Sequence, residues 1–330
     1  MKFLHFAAFA ALALFGAEAK AQQAFSFVAI GDMPYGERAV IYPKFTSLIG
    51  AINATQPDFT LHIGDIKSGT SVCSDEEFIN QRDFMNAFRS ALIYTPGDNE
   101  WTDCHRKNNG GFDPIERLAK LRSVFFPDTK SLGMKPITLE RQSDLMPEFK
   151  LYTENARFEK NGVLFVTAHI VGSNNNFEPR DPKAIEEFRA RDKANIAWIK
   201  DAFTKANTTG AAAIVLAIQA NPFVLAGPTT VFPAHSGFTA SIGETFMPLA
   251  RDFAKPVLFI HGDSHIFRID QPFKTGPGPT QRKALDNITR LEVFGEDQMH
   301  AVRVNVEPAM GMTGIWAFQP IFNPADQIAK

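Results

Sequence analysis

Four aspartates in this chain share one local pattern, in which a short apolar run leads into a Gly-Asp pair. They are Asp32, Asp65, Asp98 and Asp263. Such a run is typical of a buried strand, and ligand crevices of α/β sheets open at the carboxyl ends of strands. One such Asp is ordinary turn or cap chemistry. Four carboxylates at one sheet edge would repel each other without protons or cations, so the pattern predicts a metal site.

The segments between these pairs predict the elements that must position them. The first half of the chain alternates apolar strand runs with helical patterns, including a helix over residues 42–53. A longer helical period covers residues 183–205, and an uninterrupted buried strand is predicted at residues 211–218. Alternating residues after position 290 predict antiparallel strands near the C-terminus. The polar, glycine-containing residues 100–115 predict a long functional loop.

Length and composition limit the class of protein. The 330 residues are 45% hydrophobic, enough for a large core. Within residues 1–21, Lys2 is followed by an apolar stretch that is too short to span a bilayer. Small residues in A-x-A spacing come after this stretch. This pattern predicts a secretory signal peptide and a periplasmic or secreted protein, with an N-terminal membrane helix as the alternative.

Residues 22–330 are then expected to form one domain without a membrane span. A formal net charge of −2 gives no indication of nucleic-acid affinity, and the oligomeric state is left open.

The chain has two cysteines, Cys73 and Cys104, each a few residues after a Gly-Asp pair. An even number of cysteines in an exported protein predicts a disulfide, which would join the loops that follow Asp65 and Asp98. Two free buried thiols are the alternative.

The order of these motifs resembles the calcineurin-like metallophosphoesterase superfamily. That pattern runs D-x-H, G-D-x-x-D/N, G-N-H-D/E, a His before x-Pro, and G-H-x-H, over about residues 25–270 here. The resemblance implies an α/β (α+β) fold, a four-layer sandwich of two packed mixed β-sheets flanked by helices. It also implies one or two metal ions, with a metal-activated hydroxide that attacks phosphorus in a phosphate ester.

Carried over by position, the resemblance makes Asp32 and Asp263 terminal ligands and Asp65 the bridging ligand. Asp98 replaces the family's Asn ligand in an ungapped alignment, and Asn99 replaces its His. A one-residue shift would instead keep Asn99 as the ligand and place Glu100 at the His position. His265 matches the final His of the pattern.

The departures from the pattern change the chemistry that it implies. Pro34 stands at a His position, and Gln219-Ala220-Asn221-Pro222 replaces His-x-Pro. Asn99, Gln219 and Asn221 are therefore possible extra ligands. A site dominated by oxygen ligands favours Mg, Mn or Ca over Zn, and its abundant negative charge makes the ion a weaker Lewis acid.

Proton transfer and substrate contact are assigned to residues near these motifs. Asn99 occupies the general-acid position but cannot donate a proton to an alkoxide, so Glu100 and His105 are the candidates for that role. Three side chains are predicted to contact the substrate, a small phosphorylated compound: Arg106, His169 and Asn174.

Two other functions compete with the phosphoesterase hypothesis. The block Gly262-Asp263-Ser264 with Asp297-x-x-His300 resembles GDSL-type serine esterases, although the sheet precedes the Ser here and follows it in those enzymes. The second alternative is a superfamily member without catalysis that binds a cation, a phosphate ligand or a partner. The lost His positions favour that alternative.

Overall fold

The computed structural model describes residues 23–226, 236–275 and 282–327. The predicted signal peptide lies outside these residues, and its assignment stays a prediction, as does the single domain over residues 22–330. Across the described part of the chain, no helix is long and apolar enough to cross a membrane.

The described strands build two large sheets and a short ribbon. In chain order they are β1 (Phe25–Ile30), β2 (Phe59–His62), β3 (Ala91–Tyr94), β4 (Glu140–Arg141), β5 (Ala156–Lys160), β6 (Val163–Thr167), β7 (Ala213–Ala217), β8 (Val257–His261), β9 (Arg268–Asp270), β10 (Lys274–Thr275), β11 (Lys283–Ala284), β12 (Ile288–Glu292), β13 (Ala301–Val306) and β14 (Trp316–Ile321).

The first sheet has the order β14-β13-β1-β2-β3, and the second has the order β4-β5-β6-β7-β8-β12-β9. In the first sheet, β1, β2 and β3 run parallel, so Ile30, His62 and Tyr94 lie side by side at one edge. In the second sheet, β6, β7, β8 and β12 are parallel. The carboxyl ends of the site-bearing strands therefore share an edge within each sheet.

Helices cover the outer faces of both sheets. In chain order they are α1 (Arg38–Ala54), α2 (Asp75–Asn86), α3 (Pro114–Phe125), α4 (Gln142–Leu145), α5 (Gly172–Asn175), α6 (Pro182–Thr209), α7 (Phe223–Ala226), α8 (Met247–Phe253) and α9 (Pro324–Gln327). A π-helical segment, Thr239–Phe246, precedes α8.

An aromatic core fills the space between the sheets. Phe27 and Phe59 of the first sheet stack with ring centroids 5.2 Å apart, and Phe165 of the second sheet meets both edge-on. Buried residues of β1 and β3 pack against α1, α2 and α3 on one outer face. Residues of β6, β7 and β8 pack against α6, the π-helical segment and α8 on the other. The predicted four-layer sandwich is confirmed.

Several local predictions are also confirmed. Ser74 caps α2 by accepting a hydrogen bond from the backbone N–H of Glu77, and the predicted helices at residues 42–53 and 183–205 lie inside α1 and α6. Near the C-terminus, β13 pairs antiparallel with β1 as expected. In contrast, β12 runs parallel to β8 and antiparallel only to β9, because β12 is inserted between them within the second sheet.

Candidate functional site

The aspartates of the four Gly-Asp pairs meet where the two sheets adjoin. Asp32, Asp65 and Asp98 follow β1, β2 and β3 and are buried, and Asp263 follows β8. The backbone N–H of Asp263 donates to both carboxylate oxygens of Asp32, at 3.0 and 3.1 Å. This contact joins the edge of one sheet to the edge of the other.

A glycine opposite the cluster leaves room for two of the carboxylates. A Cβ on Gly172 would lie 2.5 Å from Asp263 Oδ1 and 2.6 Å from Asp98 Oδ1. Real Cβ atoms do not approach oxygen so closely, so any larger residue at this position would displace the carboxylates. Asp98 and Asp263 therefore face each other across a space that only a glycine leaves open.

Asp65 is held by hydrogen bonds from three side chains and one backbone amide. Asn99 donates from its backbone N–H to Oδ1 at 3.1 Å and from its side-chain amide to Oδ2 at 2.9 Å. The Tyr35 hydroxyl and the Gln219 amide also donate to Oδ2, at 3.0 and 3.2 Å. The sequence analysis did not identify Tyr35, whose only sequence signal is its place three residues after Asp32.

Asp98 has the opposite environment. Its Oδ2 accepts a hydrogen bond from Ser173 Oγ at 2.7 Å, whereas its Oδ1 is buried and has no hydrogen-bond partner among the described residues. Ser173 Oγ also lies 3.0 Å from Asp103 Oδ1, so the two carboxylates share its single hydroxyl hydrogen. The unpartnered oxygen is the kind of buried group that a missing cation or donor would satisfy.

Ser173 reaches these acids from a left-handed turn. Residues 173–176 have φ values of 48°, 54°, 57° and 59° in succession, where single Asn or Gly residues are the usual occupants. The turn is half-buried at Asn174, whose side chain contacts Gly237 and Phe177. The substrate contact predicted for Asn174 stays a prediction.

Burial and the charges of neighbouring carboxylates raise the pKa of four acids at the site. Burial raises the pKa of Asp32 and of Asp65 well above the usual range, and neighbouring carboxylates raise both further. Burial, followed by the charge of Asp98, raises the pKa of Asp263 to about 7. The same two causes raise the pKa of Asp103 to about 6. A bound cation would relieve this repulsion.

His265 lies at the Asp32 end of the cluster with a carboxylate behind it. Its Nδ1 donates to Glu296 Oε2 at 2.8 Å, and its Nε2 lies 3.9 Å from Asp32 Oδ1. A carboxylate behind an imidazole fixes the tautomer and is a common arrangement around metal-binding histidines. Glu296 was not identified from the sequence, since it is 31 residues from His265 and part of no motif.

Glu100 is fully buried beneath the cluster. Its Oε1 accepts hydrogen bonds from the backbone N–H groups of Asp65 and Gly97 and from the Tyr94 hydroxyl, at 2.7–3.0 Å. These contacts fasten the turns that follow β2 and β3. They give no support to the proton transfer predicted for Glu100, which stays a prediction.

His105 and Arg106 lie beside the cluster, within the predicted loop. His105 is the last residue of a short 3₁₀ segment, Thr102–His105, and Arg106 follows it directly. Both residues are exposed, and both line a cavity of about 520 Å³ together with Asp103 and Ser173. His105 Nδ1 donates to the carbonyl of Thr102 at 2.6 Å, and Arg106 pairs with Asp103 at 2.6 Å. The four aspartates do not line this cavity, which adjoins the acidic cluster through Ser173, whose hydroxyl contacts Asp98.

His169 is buried and does not lie where a residue that binds the substrate would be accessible. It is fully buried, its Nδ1 donates to Glu154 Oε1 at 2.7 Å, and its ring lies against Trp101. Burial lowers the pKa of His169 to about 4, so the ring is neutral. These contacts give no support to the substrate role predicted for it.

Asn221 and Ser264 pair with each other beside Asp263. The backbone N–H of Asn221 donates to Asp263 Oδ2 at 2.9 Å, and its amide donates to Ser264 Oγ at 2.5 Å. His300 instead accepts from the backbone N–H of Asn323 and lies near Asp326. The structure thus brings Ser264 and His300 into no contact, and a serine esterase has no support from this geometry.

The predicted disulfide is present between Cys73 and Cys104. It connects the loops that carry Asp65 and Asp98. Lys67 lies in the first of these loops, is buried, and donates to the backbone carbonyls of Asn99 and Ser68 at 2.7 and 2.9 Å. Burial lowers the pKa of its ammonium group, and the charges of Glu100 and Asp65 oppose this shift. Lys67 was not identified as a site residue from the sequence.

The donors at the site fit an oxygen-preferring cation in type. Carboxylates predominate, and His265 is the imidazole among the predicted ligands. Two buried carboxylate oxygens at the site, Asp98 Oδ1 and Glu100 Oε2, lack a hydrogen-bond partner among the described residues. Such a set suits Mg, Mn or Ca rather than Zn. Within the described residues, however, no group of three or more His, Cys, Asp or Glu side chains is arranged to hold a metal ion.

No protein-family model matches the chain, and a search of curated proteins finds no match. Solved structures do match it. A dimetal phosphatase from Danio rerio is 12% identical with a TM-score of 0.49, over 91% of this chain and 99% of that one. Purple acid phosphatase PPD1 from yellow lupin seeds is 12% identical with a TM-score of 0.48, over 93% of this chain and 55% of that one.

GAP50, the anchor in the inner membrane complex of Plasmodium, is 10% identical with a TM-score of 0.45, over 91% of this chain and 89% of that one. The likeness is one of fold. The resemblance to calcineurin-like metallophosphoesterases is confirmed at this level by the strand order, because each Gly-Asp pair closely follows a strand of a two-sheet sandwich flanked by helices.

Proposed function

We propose that the chain is an exported, metal-dependent phosphoesterase that hydrolyses a small phosphorylated substrate. The observation that carries this proposal is Asp98 Oδ1, a buried carboxylate oxygen without a hydrogen-bond partner among acids that repel each other. A divalent cation would supply the missing partner and balance the charge. The disulfide between Cys73 and Cys104 supports export, since disulfides persist in oxidising compartments.

The residues around the cluster would divide the remaining work of the reaction. A bound cation would polarise a phosphoryl oxygen and lower the pKa of a water molecule. Arg106, which lines the cavity, would bind a phosphate oxygen, and His105 would give a proton to the departing alcohol. Ser173, already bonded to Asp98, would hold that carboxylate in place.

A second candidate is a protein of this fold that binds a cation or a phosphate ligand without hydrolysis. The observation that favours it is the state of Asn99, whose amide is bonded to Asp65 and to the Tyr35 hydroxyl at 2.7 Å. No acidic hydrogen is available at the position that the family uses for proton donation. Only turnover separates this candidate from the first.

The test is a phosphoesterase panel of a monoester, a diester and nucleotides, each assayed with Mg, Mn, Ca or Zn and with a chelator. We expect hydrolysis that depends on Mg or Mn and falls at least ~100-fold in Asp98→Asn. Asp83→Asn, on the exposed face of α2, is the matched control and should keep full activity. Metal binding without turnover on any substrate would favour the second candidate, and hydrolysis insensitive to chelator would contradict the first.

A further inference from the structure

We infer that the centre takes a single divalent ion between Asp98 and Asp263, and that Asp65 is closed to metal by its hydrogen bonds. This inference rests on the cation-binding part of the proposed function and is independent of turnover. It departs from the pair of ions bridged by the Asp65 position that the family resemblance implies.

The donors around Asp65 occupy both of its oxygens. Oδ1 accepts from the backbone N–H of Asn99, and Oδ2 accepts from the Tyr35 hydroxyl and from two amides. A carboxylate bridges two ions through one shared oxygen or through one oxygen to each. Oδ2 already accepts three hydrogen bonds, and Oδ1 lies against Gly97, whose added Cβ would come within 2.0 Å of it. Either kind of bridge would therefore displace existing contacts of Asp65.

The orientation of the Gln219 amide is fixed by a neighbour that can act only as a donor. The backbone N–H of Gly172 donates to Gln219 Oε1 at 2.5 Å. The Nε2 end must therefore face the carboxylates, where it lies 3.2 Å from Asp65 Oδ2 and 3.4 Å from Asp263 Oδ1. Gln219, in the segment that replaces His-x-Pro, is thus a hydrogen-bond donor to carboxylate and not an oxygen ligand.

The carboxylate oxygens of Asp32 also accept hydrogen bonds within the protein. Both of its oxygens accept from the backbone N–H of Asp263, and its Oδ1 faces His265. Its role in this arrangement is to hold the loop that carries Asp263 against the first sheet. His265 would then orient Asp32 and not bind the ion directly.

The least satisfied oxygens of the cluster are the two beside Gly172. Within the part of the chain that the structure describes, Asp98 Oδ1 has no hydrogen-bond partner, and Asp263 Oδ1 has only the 3.4 Å contact with the Gln219 amide. Both lie within 2.6 Å of the position that a Gly172 Cβ would take. Two carboxylates completed by water and substrate phosphate are a usual Mg²⁺ site, which agrees with the lack of any group of three or more such ligands among the described residues.

The experiment counts ions on the full-length protein with Mn²⁺, by titration calorimetry and by the EPR signal of free Mn²⁺. We expect one ion per chain. Asp98→Asn and Asp263→Asn should each weaken binding at least ~10-fold, whereas Asp65→Asn should stay within ~3-fold of the wild type.

Gly172→Ala tests the space without altering any charge. Its methyl group would displace the two carboxylate oxygens, so we expect Mn²⁺ binding to be lost as in Asp98→Asn. Gly50→Ala, where a Cβ meets nothing within 4 Å, is the matched control and should bind normally. Thermal unfolding in the presence of chelator shows whether a variant is misfolded. If either Gly172→Ala or Asp98→Asn is misfolded, the one that folds normally provides the test.

Several outcomes would overturn the inference: two ions per chain, no ion at millimolar Mn²⁺, loss of binding in Asp65→Asn, or normal binding in Asp98→Asn. The phosphoesterase panel, run on the same samples, separates this result from the proposed function. Two ions with turnover would refute only the single-ion site. One ion at Asp98 and Asp263 without turnover would refute only the enzyme.

Discussion

Asp65 and Asp98 have the same residue type and follow neighbouring parallel strands, yet their surroundings give them opposite properties. Asp65 accepts four hydrogen bonds, and Asp98 keeps one buried oxygen without any. The difference comes from Tyr35, Asn99 and Gln219 around the first and from Ser173 beside the second. Position after a strand therefore makes an Asp a candidate ligand, and the neighbouring donors decide whether it is free to bind.

His105 is the residue whose substitution tests proton transfer most directly. It is an exposed imidazole on the cavity beside the acids. We expect His105→Gln to lower kcat by roughly 100-fold for an alkyl phosphate, because a poor leaving group needs a proton, and to affect p-nitrophenyl phosphate much less. Steady-state kinetics on both substrates measure this difference.

The control for His105→Gln is Arg106→Gln, which should raise KM for both substrates to a similar extent. Equal losses of kcat on the two substrates in His105→Gln would exclude His105 as the proton donor.

At the scale of elements, the left-handed turn at residues 173–176 is the most unusual segment of the site. Left-handed residues other than Gly cost about 1–2 kcal/mol each, so the turn needs support from outside. Arg191 of α6 supplies this support and is fully buried. It donates to both oxygens of Asn175, backbone and side chain, and to the carbonyl of His169, and it pairs with Glu187.

Arg191→Lys should destabilise the protein by about 3 kcal/mol. A lysine ammonium group cannot make all the hydrogen bonds of the planar guanidinium group, so buried acceptors would be left without donors. Denaturant unfolding measures this loss. Arg189→Lys, exposed on the same helix, should change the free energy of unfolding by less than about 0.5 kcal/mol. Similar losses in the two variants would mean that the turn does not depend on Arg191.

The elements differ in how far the sequence predicts them. The strands before the Gly-Asp pairs, the Ser74 cap and the long helix α6 follow from residues close together in the chain. The environment of Asp65 does not, because Gln219 lies 154 residues away and its contact depends on how the two sheets pack. The parallel pairing of β12 with β8 was not predicted for the same reason, since alternation indicates which face of a strand is buried and not which strand lies alongside.

At the scale of the whole molecule, the buried network of His169 and Glu154 links stability to pH. The pKa of His169 is lowered to about 4 by burial, whereas an unfolded chain would titrate near 6.5. Between these values the unfolded state binds the proton and the folded state does not, so stability falls as the pH drops from about 6.5 to about 4. The lowered pKa of Glu154, paired with Arg122, acts in the same direction.

His169→Asn removes this titration and keeps an amide donor for Glu154. We expect the variant to lose less stability than the wild type between pH 7.5 and pH 4.5, by at most roughly 3 kcal/mol. Urea unfolding at several pH values gives the difference. Because the raised pKa values of the acidic cluster oppose this trend in both proteins, the difference between the two curves is the quantity to compare. Parallel curves would contradict the assignment.

Asp32 and Asp263, which are in contact, lie 231 residues apart in the chain. The strand that leads to Asp32, β1, pairs with β2 on one side and with β13 on the other. During synthesis, the first three aspartates leave the ribosome long before the segment that completes their surroundings. Until residue 263 has emerged, Asp32 lacks the amide that binds its carboxylate, and β1 lacks its antiparallel neighbour. A chain cut short before β8 would therefore carry three of these acids without Asp263 and without the strands β8, β9 and β12 of the second sheet.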